Sequence, residues 1–283
     1  MIRSFPLRGL IAAMAALLVA GCQSVAFGMA NRGVPAADAS VVYDIEHGLS
    51  LDIYEPSVAT STPAPAPVVV FFYGGGWKTG KREQYRFVGR RLSQQGVLAI
   101  VADYRTFPRS TFPGFVEDGA RAVVWSRGHA AEYGGDPRRL FVAGHSAGAQ
   151  IAALLGTDAR YLAAQGMKPR DLSGVIGLSG PYDFVIEGGY EEVFGPKDRW
   201  REAQAVNFVD GDEPPFLLIH GTGDKVVESK DSQELADKLR RTGGKADLVW
   251  LPKAGHLAPL AALYDPQRDS QVVQAIKEFL QTR

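Results

Sequence analysis

Residues 140–148 read Leu-Phe-Val-Ala-Gly-His-Ser-Ala-Gly, and this stretch indicates the fold class. Its first four residues form a short apolar run typical of a buried strand, and a helical pattern begins at Ala147. The pentapeptide G-x-S-x-G lies between them. A turn this sharp leaves almost no room for side chains around the serine, which accounts for Gly144 and Gly148. Two interpretations fit: a reactive Ser146 held at a helix N-terminus, where backbone N–H groups can stabilise an oxyanion, or a glycine-rich turn with an incidental serine.

Apolar runs of strand length recur along the chain and alternate with amphipathic stretches. The predicted strands are Val41–Glu46, Leu49–Tyr54, Val68–Tyr73, Gly96–Ala102, Arg139–Ala143, Gly174–Leu178, Phe216–Ile219 and Ala246–Leu251, the first two forming an antiparallel hairpin. The predicted helices are Arg82–Gln95, Phe115–Tyr133, Ala147–Leu155, Ser229–Arg241 and Ser270–Leu280. Strands that alternate with helices indicate an α/β fold, a mostly parallel sheet with helices on both faces. We predict one domain over residues 41–283.

Two further loops at predicted strand ends carry groups that a reactive serine needs. A serine nucleophile requires a base, and the base requires an orienting carboxylate. Asp224 lies in the loop after the strand at 216–219, and His256 in the loop after the strand at 246–251. The carboxyl ends of parallel strands share one edge of the sheet. We therefore predict a triad of Ser146 as nucleophile, His256 as base and Asp224 as the orienting acid.

Other histidines and acids compete for these roles. His145 adjoins Ser146 on the turn, so its side chain should point away from the serine hydroxyl. His220 is expected to pack or to support its loop, and Asp183 is the alternative carboxylate to Asp224. The remaining candidates have simpler interpretations, as structural or surface histidines and as acids that complement a helix N-terminus: His47, His129, Glu228 and Asp231.

A second glycine motif, Gly74-Gly-Gly-Trp77, follows the predicted strand that ends at Tyr73. With this motif the chain resembles the α/β-hydrolase carboxylesterases that carry an HGGGW-type oxyanion loop. That group includes hormone-sensitive-lipase-like, feruloyl-esterase-like and kynurenine-formamidase-like enzymes. The resemblance extends over residues 41–283, and three further motifs support it: Ala102-Asp-Tyr-Arg105, Gly134-Gly-Asp-Pro137 and His220-Gly-x-x-Asp224.

The resemblance implies an α/β-hydrolase fold and an oxyanion hole. The hole would use the amides of Gly75, Gly76 and Ala147, with Gly74 as an alternative if the loop register differs by one. Tyr73 departs from the family, which usually has histidine there, and this affects loop geometry more than chemistry. The family motif that contains Asp103 and Arg105 is interpreted as structural, a buried ion pair behind the loop.

These residues predict a serine hydrolase that cleaves short-chain carboxylic esters through an acyl-enzyme, without a metal or cofactor. Aromatic residues at 180–214 could wall a substrate pocket, with Trp77, Tyr182 and Phe184 as candidates, or could simply pack helices. The same triad could serve an amidase, a formamidase or a peptidase, although the chain has no room for the propeller of prolyl oligopeptidases. A non-catalytic, membrane-anchored binding scaffold is the alternative from another class.

Charge and composition narrow the set of partners. The 283 residues include 31 basic and 31 acidic side chains, so nothing in the charge favours nucleic acid. The run from Gly75 to Lys81 approaches a P-loop, but Arg82 occupies the position that needs Ser or Thr for magnesium. We therefore expect no nucleotide. A small-molecule ester is the expected partner, and the oligomeric state is left open.

The first residues have the pattern of an export signal. Residues 1–21 combine basic side chains with a short apolar core, which predicts a signal peptide. The segment ending in Cys22 looks like a bacterial lipobox, and Cys22 is the single cysteine, which excludes internal disulfides. We expect a lipoprotein tethered through residues 22–40 and anchored by acylated Cys22. In the bacterial lipoproteins that this segment resembles, an aspartate after the cysteine retains the protein in the inner membrane. By that resemblance, Gln23 at this position suggests the outer membrane, on the periplasmic face or at the surface.

Overall fold

A computed structural model describes residues 27–57, 64–265, 267–268 and 270–283. The predicted signal peptide and the predicted lipidation site Cys22 lie outside this range. Along the part of the chain that is described, no helix has the length and apolar character needed to cross a membrane.

The described strands form one eight-stranded sheet with the order β1-β2-β4-β3-β5-β6-β7-β8. The strands are β1 (Ala39–Asp44), β2 (Leu49–Tyr54), β3 (Ala66–Phe72), β4 (Leu98–Ala102), β5 (Gly135–His145), β6 (Gly174–Leu178), β7 (Phe216–Gly221) and β8 (Ala246–Leu251). Strands β1 and β2 pair antiparallel, as β2 and β4 do, and the other pairs are parallel. The predicted mostly parallel sheet with an antiparallel N-terminal hairpin is confirmed.

Helices connect the parallel strands. The α-helices are α1 (Arg86–Ser93), α2 (Gly114–His129), α3 (Ala147–Thr157), α4 (Ala159–Ala163), α5 (Glu191–Phe194), α6 (Lys230–Arg241), α7 (Ala258–Tyr264) and α8 (Ser270–Gln281). Short 3₁₀ helices occupy Arg82–Tyr85, Ala130–Tyr133, Pro169–Asp171, Lys197–Ala203 and Ala205–Phe208. The prediction missed the short helices α4, α5 and α7. Helix α7 contains the helix-breaking Pro259, but only in its first turn, where proline is tolerated.

Neighbouring residues of β6 show that helices cover both faces of the sheet. A methyl group on Gly174 would lie 2.6 Å from the ring of Phe279 in α8, and one on Gly156 of α3 would lie 2.5 Å from Val175. Because consecutive strand residues point to opposite faces, α8 and α3 lie on opposite sides of β6. Burial on both faces explains why the central strands are continuous apolar runs.

The described part of the predicted tether packs against the domain. The ring of Phe27 lies 4.8 Å from the ring of Tyr85. Asn31 donates from Nδ2 to the carbonyl of Gln84 at 2.7 Å, and its Oδ1 accepts from the N–H of Phe87 at 3.0 Å. Residues 27–30 are helical, and β1 begins at Ala39. The folded unit therefore includes residues well before position 41.

The region behind the glycine loop holds two ion pairs. Arg82 bonds Asp103 and also donates from Nε to Asp52 at 2.9 Å. Arg105 donates from Nη2 to the buried carboxylate of Asp118 in α2 at 2.8 Å. The prediction that Asp103 and Arg105 form an ion pair with each other was wrong. Each residue instead pairs with a partner from a different helix that packs beside the end of β4.

Candidate active site

Ser146 occupies a strained turn between β5 and α3. Its backbone φ is 53° and its ψ is −121°, a conformation that costs a non-glycine residue energy. Its N–H donates to the carbonyl of Leu178 in β6 at 2.9 Å, which fixes the turn against the sheet. A methyl group on Gly144 would lie 2.2 Å from the carbonyl oxygen of Gly148, and one on Gly148 would lie 2.1 Å from that of Phe72. Backbone contact on both sides therefore requires both glycines.

Replacement of Gly148 by alanine is expected to prevent normal folding, or to lower Tm by more than 10 °C. The added methyl group meets main-chain atoms of β3, which have little room to move. Gly128→Ala is the matched control, because nothing lies within 4 Å of a methyl group at Gly128 in α2. It should leave Tm unchanged or raise it slightly. Thermal melts of both variants check this, and equal melting temperatures would contradict it.

The three predicted triad residues meet at the carboxyl edge of the sheet. Ser146 Oγ lies 2.9 Å from His256 Nε2, and His256 Nδ1 lies 2.8 Å from Asp224 Oδ2. Ser146 follows β5, Asp224 follows β7 and His256 follows β8, so three loops of one edge supply the array. In this arrangement the imidazole donates from Nδ1 to the carboxylate and accepts the serine hydroxyl at Nε2.

The Asp224 carboxylate is fully buried and accepts four hydrogen bonds. Oδ2 accepts from His256 and from His220 Nε2 at 3.2 Å, while Oδ1 accepts from the N–H groups of Val226 and Val227 at 2.8 and 3.1 Å. Burial alone would raise the pKa of Asp224. The hydrogen bonds from the two histidines outweigh burial, and the pKa of Asp224 falls well below its usual range. The carboxylate therefore stays ionised next to His256.

His220 supports the acid and is not a second base. Its Nε2 faces Asp224, and its Nδ1 accepts from Ser232 Oγ at 2.7 Å, so both nitrogens are occupied. His145 points away from Ser146 and donates from Nε2 to the main-chain carbonyl of His256 at 3.1 Å. Burial, with the charge that His256 can carry, lowers the pKa of His145 to about 3, which keeps its ring neutral.

The remaining candidates lie apart from this array. His47 pairs with Asp44, and His129 stacks on Trp125. The competing acid Asp183 is exposed. In the part of the chain that the structure describes, His256 Nδ1 bonds Asp224, and the Asp183 side chain makes no hydrogen bond to His256.

The glycine loop lies beside the serine turn. A methyl group on Gly74 would lie 3.1 Å from Ser146 Cβ, so the loop passes directly beside Ser146. The N–H of Gly74 donates to the buried Tyr85 hydroxyl at 3.1 Å and is not free for a ligand. Among the described residues, the N–H groups of Gly75, Gly76 and Ala147 have no protein acceptor. These three amides remain the predicted oxyanion donors, and the alternative register through Gly74 loses its donor.

The aromatic residues predicted for the pocket have different surroundings. Trp77 is buried, donates from Nε1 to Gln150 Oε1 at 3.1 Å and stacks on half-buried Phe184 at 5.4 Å. Tyr182 is fully buried, and a methyl group on Gly177 in β6 would lie 1.9 Å from its hydroxyl. Because its side chain packs against the sheet, Tyr182 is not part of the pocket wall. The prediction failed because an aromatic ring in a loop can pack inward or outward.

Tyr190 was not among the predicted site residues. Its hydroxyl would lie 2.8 Å from a methyl group on Gly76, which places a phenol over the oxyanion loop. The Lys78 ammonium lies 5.1 Å from the centre of the Tyr190 ring and holds the carbonyl of Gly189 at 2.9 Å. No sequence signal distinguishes Tyr190 from the other aromatic residues of 180–214. Tyr190 and Phe184, both partly exposed, are the residues that can wall a substrate pocket.

Asp231 has a larger role than complementing a helix N-terminus. Its buried carboxylate at the start of α6 accepts from the N–H groups of Tyr182 and Asp183 at 3.1 and 3.4 Å. Burial raises the pKa of Asp231 to about 7, despite these hydrogen bonds. Asp231 thus ties α6 to the segment that carries the pocket aromatics.

Stability is expected to fall as the pH rises from about 4 to about 7. The unfolded carboxyl ionises near pH 4, whereas the buried Asp231 ionises at a pKa of about 7, so the folded state binds more protons between these values. The penalty at pH 8 is up to roughly 4 kcal/mol. Asp231→Asn should therefore gain roughly 5 °C in Tm relative to wild type between pH 5 and pH 8. A Tm difference that is independent of pH would contradict this.

One group of described residues could bring metal-binding atoms together. Asp44, His47 and Asp118 have ligand atoms within 4.8 Å of one another. Arg121, however, bonds both carboxylates, and Arg105 also bonds Asp118, so two cations of the chain itself already balance the two acids. We infer no cation site from this group.

Comparisons with known proteins agree with this architecture. The family model described as BD-FAE matches residues 51–239, about two thirds of the chain. The chain belongs to the BD-FAE family. The BD-FAE match runs from β2 into α6 and includes the glycine loop, Ser146 and Asp224. The predicted family resemblance and the α/β-hydrolase fold are confirmed.

Relatives of this BD-FAE chain have names of ester hydrolases. Isoprenylcysteine alpha-carbonyl methylesterase ICME of Arabidopsis thaliana is 30% identical, over 74% of this chain and 54% of the relative. Esterase LipC of Mycobacterium tuberculosis is 32% identical, over 76% of this chain and 58% of the relative. The chain spans about half the length of the curated relatives it matches.

A solved esterase aligns with the BD-FAE chain over nearly its whole length. Esterase 2 of the Planctomycetes species Thermogutta terrifontis, with propionate bound, has a TM-score of 0.73 and 25% identity, over 88% of this chain and 95% of that chain. The same enzyme phosphoramylated by tabun has a TM-score of 0.74.

Proposed function

We propose that this protein is a serine carboxylesterase that hydrolyses short-chain carboxylic esters through an acyl-enzyme. One observation carries the proposal: Ser146, His256 and Asp224 form a continuous hydrogen-bonded array, with contacts of 2.9 and 2.8 Å, beside three unpaired amides. The esterase names of its relatives support the same reaction class.

In the proposed reaction each group has one step. Ser146 Oγ attacks the acyl carbon while His256 Nε2 takes its proton, and Asp224 holds the imidazole in the required tautomer. The carbonyl oxygen becomes an oxyanion that accepts from the amides of Gly75, Gly76 and Ala147. His256 then protonates the leaving alcohol. In the second half of the reaction His256 takes a proton from water, the water oxygen attacks the acyl carbon, and His256 returns the proton to Ser146 Oγ as the acid product leaves.

The segment at 180–214 favours a small acyl group. It forms only short helical turns, and Phe184 and Tyr190 reach towards Trp77 and the oxyanion loop. Such a wall narrows the space beside Ser146 without forming a large lid. The propionate bound to the Thermogutta esterase supports a short acyl product, and the methylesterase name of a relative supports a small leaving alcohol.

The proposal is tested with p-nitrophenyl acetate, butyrate and octanoate, using the full chain in mild detergent. We expect kcat/KM to fall as the acyl chain lengthens, and a fluorophosphonate probe to label Ser146. Labelling without ester turnover would indicate a working triad with an amide, formamide or peptide substrate. Neither turnover nor labelling would refute the hydrolase and favour a binding scaffold.

We also propose that Cys22 is acylated and anchors the domain to a bacterial membrane, most simply the outer membrane. The lipobox-like sequence before Cys22 supports this. Phe27 lies five positions after Cys22 in the sequence and packs on Tyr85, so the folded domain begins a few residues after the proposed anchor. Expression with an alkyne-tagged fatty acid tests this: the wild type should carry the tag in the membrane fraction, and Cys22→Ser should not. An untagged wild type would refute anchoring and leave the esterase proposal unaffected.

A further inference from the structure

Two buried tyrosines hold one peptide bond next to the oxyanion loop. The hydroxyl of Tyr104 donates to the carbonyl of Tyr73 at 2.8 Å. The N–H of Gly74 donates to the hydroxyl of Tyr85 at 3.1 Å, and that hydroxyl lies 3.5 Å from the carbonyl of Gly74. The Tyr73 carbonyl and the Gly74 N–H belong to the same planar peptide unit. Its acceptor and its donor are therefore each bound by a different phenol.

The position of this peptide unit makes its orientation important. It leaves the end of β3 and immediately precedes Gly75 and Gly76, whose amides are the proposed oxyanion donors. Gly75 and Gly76 have φ values of 142° and 59°, which side chains rarely adopt. The Gly75 carbonyl accepts from the N–H groups of Lys78 and Thr79 at 3.2 and 3.0 Å, which fixes the peptide that carries the Gly76 N–H, whereas the Gly75 N–H belongs to the peptide between this turn and the Tyr73–Gly74 unit. The direction of the first amide therefore depends on how firmly the preceding peptide plane is held.

The ring of Tyr73 completes the cluster. It stacks on the ring of Tyr104 at 4.5 Å and lies 5.9 Å from that of Tyr85. All three rings are buried, and burial raises the pKa of each phenol above its usual value, so the hydroxyls stay protonated. Tyr73 itself stands where related enzymes usually have histidine. Its own hydroxyl lies 3.4 Å from the Tyr104 carbonyl.

We propose that Tyr85 and Tyr104 are positioning residues that clamp the Tyr73–Gly74 peptide and thereby aim the oxyanion amide of Gly75. This inference rests on the proposed hydrolase function, because it assigns a purpose to that site's loop. The clamp also explains why Gly74 is not a donor: Tyr85 uses its N–H. Neither tyrosine touches the substrate, and each acts through the main chain.

Tyr85→Phe and Tyr104→Phe test the clamp, since each removes one hydroxyl and keeps the ring. Tyr54→Phe is the matched control, because the Tyr54 hydroxyl is also buried but has no hydrogen-bond partner within the described residues. Measurements on the full chain are kcat and KM for p-nitrophenyl acetate, Tm, and hydrogen exchange of the Gly74 amide by NMR.

The two clamp variants should lose about tenfold to a hundredfold in kcat, with KM changed by less than about twofold, because a misaimed donor weakens transition-state binding only. Exchange at Gly74 should accelerate in Tyr85→Phe, whereas Tyr54→Phe should match wild type in every measurement. The clamp is overturned if kcat of both variants stays within twofold of Tyr54→Phe, or if kcat recovers fully when corrected for the folded fraction.

Failure of the underlying function gives a different result. If the wild type hydrolyses no ester, kcat and KM of the variants cannot be compared. The hydrogen-exchange rate of the Gly74 amide is then the measurement that tests the clamp. Faster exchange at Gly74 in Tyr85→Phe, with exchange in Tyr54→Phe unchanged, would then support the clamp as a structural device. Unchanged exchange in Tyr85→Phe would overturn it whether or not the protein is an esterase.

Discussion

Replacement of Ser146 by alanine is expected to lower kcat for p-nitrophenyl acetate by roughly 10⁶-fold. The alanine removes the atom that attacks the ester and leaves His256 without the hydroxyl that it holds at 2.9 Å. Binding groups and oxyanion amides stay in place, so KM should change little. Assays of ester hydrolysis measure the loss of turnover, and fluorophosphonate labelling measures the loss of the reactive hydroxyl. Both turnover and labelling should be absent in this variant.

Ser173→Ala is the control for this variant. Ser173 precedes β6 at the opposite end of the sheet from Ser146 and donates from Oγ to the carbonyl of Arg138 at 3.2 Å. Its loss should leave kcat within about twofold of wild type. Persistent hydrolysis by Ser146→Ala, at more than a hundredth of the wild-type rate, would exclude Ser146 as the nucleophile.

Replacement of Asp224 by asparagine is the second largest expected effect, a loss of roughly 10⁴-fold in kcat. An amide cannot accept a hydrogen bond with its NH₂ group, so the His256 ring can no longer keep its proton on Nδ1 and accept from Ser146 at Nε2. The loss of negative charge also removes the stabilisation of imidazolium. Asparagine keeps the size of the side chain, and its oxygen in the Oδ1 position can still accept from the N–H groups of Val226 and Val227, which places the NH₂ group opposite His256.

Asp183→Asn separates this role from a general effect of carboxylate loss. Asp183 was the competing acid in the sequence, and its side chain is exposed. We expect kcat of the Asp183→Asn variant to stay within about threefold of the wild-type value across pH 6–9. If instead Asp183→Asn loses activity and Asp224→Asn retains it, the assignment of the acid is reversed.

Much of the fold followed from local patterns. Central strand β6 is buried on both faces, and its continuous apolar run predicted it with the bounds that the structure gives. Strands β2 and β8 lie nearer the two edges of the sheet, and their bounds were also predicted correctly. Helix starts and ends were less accurate. The pattern over residues 82–95, for example, merges a 3₁₀ turn with α1, because both bury the same apolar face.

Contacts between distant segments could not be predicted. The pairing of Asp103 with Arg82 depends on how a helix packs beside β4, and nothing in the short motif from 102 to 105 encodes it. Tyr182 and Tyr190 lie eight residues apart with similar surroundings in the sequence, yet one is fully buried and the other lies over Gly76. Only the packing of the whole 180–214 segment distinguishes them.

By itself, the sequence determined the strand–turn–helix at Ser146 and the choice of Ser146, Asp224 and His256. Both depend on local sterics and on the rule that loops after parallel strands share one edge. The tertiary structure alone decided which amides remain free, since Tyr85 takes the N–H of Gly74. It also decided that His220 shares Asp224 with His256. Hydrogen bonds of this kind depend on the directions of side chains from separate elements, which packing fixes only when the whole sheet is assembled.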